Sequence, residues 1–371
     1  ACRLAEAGAV AAALRLLDET AAAAGGLDRA AARAWRAFGG RGSLPVAASL
    51  PCAGEHEKEA QLLAHVLSSS PPGDVTGVCE AIESFGIGGL SRPFGGAGGF
   101  APSAGRWLKV AGGEKTAVLG AAARLAPGPR FLEVGAYCGY SALRLALVRP
   151  DARILSLEAD PCVAVIARCV VAHAGLSHQI DVRIGHSEDV LPKMGRSAGC
   201  KIQDSFDLVF FDQRGSRYEA DLDVLEENMA LNDGAVLVAD NVLKPGAPNF
   251  LWRVIRGGHF ETRVVSLEEY AMPGVEDWMS LSVRRGPPDD GDAGRALPPP
   301  PPELRRLEWE ADRIRGRAER STGGVGFAEW AAFVARMREA LMKLGLGPGP
   351  GTGPSGEPAG RRGAASERQP Q

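Results

Sequence analysis

The chain has no C-x-x-C pair, no G-x-G-x-x-G turn and no H-E-x-x-H, since Ala60 stands where the second histidine after His56-Glu57 would be. Seven cysteines, an odd number spread over 371 residues, exclude a disulfide framework and a cysteine-based zinc site, which makes a reducing compartment the expectation. No stretch approaches the roughly 18 apolar residues of a membrane helix, and no basic-then-apolar signal opens the sequence. A cytoplasmic location is the default that goes with a reducing compartment, while the first residue is Ala and not Met, so targeting stays open. Neither sign of charge dominates: 42 Lys and Arg stand against 45 Asp and Glu, a net charge of -3. That excludes a global basic field for nucleic acid and points to a small ligand, cationic or bridged by a metal.

What the chain has in excess is glycine (48) and proline (26), alongside an ordinary 45% of hydrophobic residues. Length alone predicts two or three domains at about 150 residues each. The glycine and proline excess cuts that down, because it gathers in a linker at 39–55, an insertion at 86–105, a stiff spacer at 286–302 and a tail at 345–371 that is expected to be disordered. Residues 1–38 carry Val10, Leu14 and Leu17 on one helical stripe and a Gly25-Gly26 break before Trp35 and Phe38. This pattern fits an alanine-rich helix pair or the end of an RNA-reading helical repeat, and nucleic acid becomes a partner only in the second case. Residues 303–344 form an amphipathic helix pair, with Leu304, Leu307, Ala311 and Ile314 on one stripe and Trp330, Val334, Met337 and Leu341 on the next. Such stripes want a partner surface.

One unit of residues 56–285 remains. Leu62, Leu63, Val66 and Leu67 predict a helix, as do Val75, Val78, Ala81, Ile82 and Phe85 behind an Asp74 N-cap. After a further helix at 115–125, short apolar segments at 130–134, 153–158, 181–184, 208–212, 235–239, 262–267 and 278–283 alternate with helical ones. The pattern predicts a doubly wound, mostly parallel seven-stranded α/β sheet, Rossmann-like, with helical appendages at both ends of the chain and the last strand antiparallel. Ligands on such sheets bind outside the carboxyl ends of the strands.

The candidate chemistry lies at those ends. Glu133 ends the first strand ahead of a glycine-bearing turn, where it would repel phosphate and attract a cation such as a sulfonium. Glu158 ends the second strand, where an acid meets ribose hydroxyls in nucleotide-binding α/β folds. Asp212 ends the fourth, and Asp240-Asn241 the fifth; two carboxylates and an amide suit a hard ion such as Mg2+. The histidines are scattered, and Cys138, with no partner base in view, is expected to be a packing residue.

The run Glu133 to Ser141 (EVGAYCGYS), Asp212 within VFFD, Arg217-Tyr218 and Val238 to Pro248 (VADNVLKPGAP) closely resembles the catechol O-methyltransferase family, over some 230 residues from Lys58 to about Val283. The resemblance implies a class I methyltransferase fold, S-adenosylmethionine and Mg2+ as cofactors, and methyl transfer to one hydroxyl of a catechol-like diol by a monomer. It implies that Val110, Glu133, Tyr137, Ser141, Glu158, Asp212 and Gln213 hold S-adenosylmethionine, with Ser187 beside Gln213 near the adenine, and that Asp212, Asp240 and Asn241 hold Mg2+. Asn241 would also touch the catechol, Glu269 or its neighbour Glu268 would accept from the second hydroxyl, and Trp107 and Pro245 would wall the substrate. The metal would pull a phenol of pKa about 10 toward neutrality so that its oxygen attacks the methyl group in line.

One departure stands out. The family places a general-base lysine three residues after the metal aspartate, whereas this chain reads Asp212-Gln213-Arg214-Gly215. Gly215 accepts no proton, and Arg214 is a poor base in the place of an aromatic wall. Deprotonation then falls to Mg2+ alone or to Lys244, three residues past Asn241. The alternatives are a different acceptor on the same fold, as in caffeoyl-CoA-type enzymes, an anionic one being open at Arg214, and a cofactor-binding scaffold without turnover.

Overall fold

The computed structural model describes residues 56–88, 108–194, 205–270, 274–285, 298–318, 325 and 327–349. The expected N-terminal helices and linker, the insertion beyond residue 88, the first part of the Pro-rich spacer and the tail beyond 349 lie outside these residues.

Seven strands form one sheet: β1 (Arg130–Val134), β2 (Arg153–Glu158), β3 (Ile180–Ile184), β4 (Phe206–Phe211), β5 (Leu231–Ala239), β6 (Phe260–Glu268) and β7 (Glu276–Arg284). Their spatial order is β3-β2-β1-β4-β5-β7-β6. The pairs among β1 to β5 are parallel, and β7 runs antiparallel to both β5 and β6. This is the doubly wound sheet expected, with its winding reversed between β1 and β4. β4 is buried along its whole length, which is why it reads as an unbroken apolar run.

Side chains alternate between two cores, as the pleat requires. Phe131, Leu208, Phe210, Val236 and Val238 enter the first, beneath α1 (Glu57–Ser69), α2 (Val75–Gly88), α3 (Lys115–Leu125), α4 (Tyr140–Val148) and α5 (Pro161–His173). Leu132, Val134, Val209, Phe211, Leu237 and Ala239 enter the second, beneath α6 (Tyr218–Glu227), α7 (Pro248–Arg256), α8 (Pro302–Ala318) and α9 (Phe327–Lys343). Local signals set the helix starts. Asp74 accepts from the Gly77 N–H at 2.9 Å, and Asp160 caps α5 by accepting from Cys162 and Val163 N–H ahead of Pro161. Among the described residues, no helix is long and apolar enough to cross a membrane.

Two boundaries and the placement of the C-terminal helices add to or differ from expectation. Gly86 and Gly88, read as the start of the insertion, continue α2. The C-terminal helices are packed on the sheet: Leu304, Leu307, Ile314, Phe333, Met337 and Leu341 are buried in the second core. Each such side chain contributes about 1.5–3 kcal/mol of burial, which outweighs what a loose tether would supply. The tail does not begin at Gly345. That residue takes a left-handed φ of 65°, the Leu346 N–H returns to the Leu341 carbonyl at 2.9 Å, and Leu346 is fully buried, closing α9 as a Schellman turn.

Candidate active site

The reversal between β1 and β4 leaves a crevice at the carboxyl ends of the strands, where the chemistry-bearing residues converge. On the β1–β2 side, Glu133 is fully buried and its two oxygens accept from the hydroxyls of Ser141 and Ser156. Burial pushes this carboxyl up to about 7; the two serines oppose the shift and the neighbouring charge of Glu158 adds to it. Glu158 accepts from the backbone N–H of Tyr137 (2.8 Å) and of Asp160 (2.9 Å), and burial raises it as well. Among the described residues no Lys, Arg or His pairs with either acid. Two fixed carboxylates without a counter-charge make a receptor for a cation.

The backbone there is built for close approach. Tyr137 holds a φ of 45°, a left-handed conformation unusual for a non-glycine residue, and its hydroxyl donates to Glu59 on α1 at 2.6 Å. Gly135, at φ 107°, has no room for a side chain: a β-carbon would stand 2.3 Å from the Asp212 carbonyl oxygen. The ends of β1 and β4 are therefore pressed together. Ser187 and Gln213 meet at 3.4 Å, and the Gln213 amide also donates to Asp221, so the pair expected near the adenine forms one polar edge. Val110 is buried in the first core, its carbonyl accepting from Gly112 N–H at 2.8 Å.

On the β4–β5 side stand Asp212, half-buried, and Asp240, buried. Burial pushes the Asp212 carboxyl well above the usual range, and the Asp240 charge adds to it. Two residues that sequence reading missed organise this half. Lys115, the first residue of α3, sets its ammonium 2.9 Å from Asp240, 3.2 Å from Glu269 and 3.0 Å from Asp277, and these three charges hold it protonated against the cost of burial. Asp277, fully buried on β7, accepts from the Asn241 side-chain amide (2.8 Å) and from the Lys244 backbone N–H (3.0 Å). With its nitrogen so engaged, Asn241 is left its Oδ1 to present to a ligand. Its φ of 55° is another left-handed non-glycine conformation, at a site of convergence where such strain is commonly held.

Lys244 is 6% exposed, with Nζ 2.9 Å from Glu269. It is thus inside the cluster. Burial pushes the Glu269 carboxyl up, but the ammoniums of Lys115 and Lys244 overcome that and hold it at about 2. Glu268, the last residue of β6, is not part of the group: it is exposed and its carboxylate accepts from Gly274 N–H, whereas Glu269, the next residue, is buried. Pro245 is buried in the Val242–Gly246 turn, and Trp107 lies outside the described residues. Cys138 is fully buried and burial drives its thiol up, as suits a packing residue.

Gly215 explains why no lysine can stand there. A β-carbon on it would lie 2.5 Å from the Gly246 carbonyl oxygen and 3.1 Å from Ala247 Cβ. Gly215→Ala is therefore expected to lose about 1–3 kcal/mol of stability in urea unfolding, because the obstacle is backbone. A variant as stable as the parent would show that the Asn241–Ala247 loop has room to give.

Residues 109–249 match the family model described as O-methyltransferase. Catechol O-methyltransferase of Mus musculus is 36% identical over 232 residues, covering 62% of this chain and 80% of that one. The Bos taurus enzyme is 36% identical over 231 residues, covering 62% and 77%. The Sus scrofa enzyme is 44% identical over 158 residues, covering 42% of this chain and 82% of that one.

Proposed function

Since this chain belongs to the catechol O-methyltransferase family and is an S-adenosylmethionine-dependent O-methyltransferase, we propose that its acceptor is a catechol-like diol and that Mg2+ assists the transfer. The observation that carries the reading is the charge pattern across the crevice. Four carboxylates, Asp212, Asp240, Glu269 and Asp277, face two buried ammoniums, Lys115 and Lys244, and the excess acid suits one hard cation. Asp212, Asp240 and Asn241 would hold it, oxygen donors of the kind that Mg2+ prefers. When bound, the metal supplies Lewis acidity to an acceptor hydroxyl.

The chain's own residues do the rest. Glu133 and Glu158 bind the cationic and ribose parts of S-adenosylmethionine, and Ser187 and Gln213 border the adenine. Tyr137 and Ser141 hold these two acids in place. Glu269, kept ionised by its two lysines, accepts a hydrogen bond from the second hydroxyl of the diol. Lys244, once it has released its own ammonium proton and left Lys115 to keep Glu269 ionised, receives the proton of the attacking hydroxyl at Nζ, replacing from the β5 loop the base absent at Gly215. Burial of both lysines and of Pro245 keeps bulk water away from that step. The small-molecule diol is the only partner that this reading requires, and the protein acts as a monomer in the cytoplasm.

Transfer of labelled methyl to a panel of diols, monophenols and acidic diols, with Mg2+ and with EDTA, tests it. Diols should be methylated only with the metal. Cofactor binding with no turnover on any diol would favour a scaffold, and turnover confined to acidic diols would move the acceptor toward the anionic class that Arg214 invites.

A further inference from the structure

The family model ends at residue 249, yet the chain folds α8 and α9 back onto the loops that make the site. Arg315 of α8 donates from Nη1 to the Gln213 carbonyl oxygen at 3.0 Å, one residue from Asp212 and two from Gly215. Tyr218 gathers the same oxygen and the Asp240 carbonyl with its hydroxyl, at 3.3 and 3.1 Å, so the ends of β4 and β5 are tied at one point. From α9, Met337 presses on the other loop: a β-carbon on Gly246, at φ 116°, would stand 2.7 Å from the Met337 methyl. Gly246 in turn leaves no space at Gly215. Met337, Gly246 and Gly215 thus form one stack, with Lys244 at its inner edge. Leu304, Ala311, Ile314 and Met337 share a core with Val242, Leu243 and Ala247 of that loop, and Trp252 and Asn249 of α7 bond to Pro298 and Glu308.

We propose that the α8–α9 pair is a working part of the catalytic unit, in which Arg315 and Met337 are positioning residues that clamp the Asp212 turn and the Lys244 loop into one arrangement. The consequence is specific to this chain: the clamp fills the place of a side chain at 215 and sets Lys244 over Glu269 instead. The inference rests on the reading of Lys244 as the proton acceptor, but the clamp itself has a signature independent of turnover.

The test uses the full chain with Arg315→Met, Arg315→Lys and Met337→Ala. Amide hydrogen exchange should rise at residues 213–217 and 242–247 in Arg315→Met and Met337→Ala and stay unchanged at 133–141. Affinity for S-adenosylhomocysteine, measured by calorimetry, should stay within about twofold in Met337→Ala, as for a distant site, and should fall less than kcat in Arg315→Met, whose partner Gln213 borders the adenine. With a diol accepted by the parent, kcat should drop about 10–100-fold, the scale of a small misplacement of reacting groups, and Arg315→Lys should recover part of the loss. Exchange that rises equally at 133–141, with cofactor affinity falling alongside kcat, would reduce the helices to general stabilisers and overturn the proposal. So would unchanged exchange with kcat within about twofold of the parent. If the parent methylates no diol, the function reading fails, while the exchange contrast still decides the clamp.

Discussion

Replacing Lys244 with Arg is expected to lower kcat by about 10²–10⁴-fold, the range of a positioned general base, while acceptor KM and cofactor affinity move little. Arginine keeps the positive charge and can still pair with Glu269, so the electrostatic half of the lysine's role survives. What it cannot do is give up its proton, being charged at any working pH. The substitution therefore separates charge from proton transfer, which Lys244→Met would remove together. The expectation rests on three observations that agree. The position three residues after Asp212 is a glycine with no room for a side chain. Lys244 is almost wholly buried, on the loop that fills that room. Its ammonium sits 2.9 Å from Glu269, the acid taken to hold the second hydroxyl. If Lys244→Arg left the pH dependence of kcat unchanged, the lysine would not be the base and deprotonation would fall to the metal alone.

The other large effect is expected on binding. Glu133→Gln should weaken S-adenosylhomocysteine and S-adenosylmethionine by about 30–1,000-fold, the 2–4 kcal/mol cost of losing a buried, hydrogen-bonded charge that meets a cation. The sign of the pH dependence follows from the carboxyl being raised to about 7 by burial. Below that pH the free protein holds a proton on Glu133 that must leave before a cation binds, so parent affinity falls as pH drops, by up to about tenfold per unit. The same raised value means that the free fold binds this proton more tightly than the unfolded chain does. Glu133 therefore favours folding less as pH rises from the ordinary 4.5 toward 7, and the bound cation restores what ionisation removes. In Glu133→Gln the pH trend of binding should flatten. Titration calorimetry between those limits measures both effects, and a variant that bound within a few-fold of the parent and kept its pH trend would remove Glu133 from the cofactor site.

The strands were legible because a sheet buried on both faces demands apolar runs of five or six residues, and acids placed at the ends of such runs have nowhere to go but the crevice. Glu133, Glu158, Asp212 and Asp240 were found on that ground alone. Lys115 and Asp277 were not, since their meeting depends on β7 inserting between β5 and β6, a fact of pairing that sequence order conceals. Each nonetheless left a trace. A lysine opening a helix faces the positive end of its dipole, and a lone aspartate inside an apolar strand has to be paid for by partners. The stripes of α8 and α9 announced a covered face without saying which surface covers it, because amphipathicity carries no address. The choice between Glu268 and Glu269 needed the end of β6, where Glu268 pairs with Glu276 and stays exposed while Glu269, its N–H on the Val275 carbonyl, is buried.

The packing of α8 and α9 on the sheet also imposes an order of manufacture. A ribosome delivers β1 to β7 first, and at that moment Val242, Leu243, Ala247, Phe250 and Leu251 lie on a face whose outer cover, led by Leu304 and Phe333, has yet to be synthesised. A nascent chain halted in the spacer would display that surface to its surroundings, the condition under which folding intermediates aggregate or recruit chaperones. The candidate site's residues all precede residue 280, so the cover that α8 and α9 lay over the neighbouring Val242–Ala247 loop, Met337 and Leu341 included, is the last part of this core to leave the ribosome.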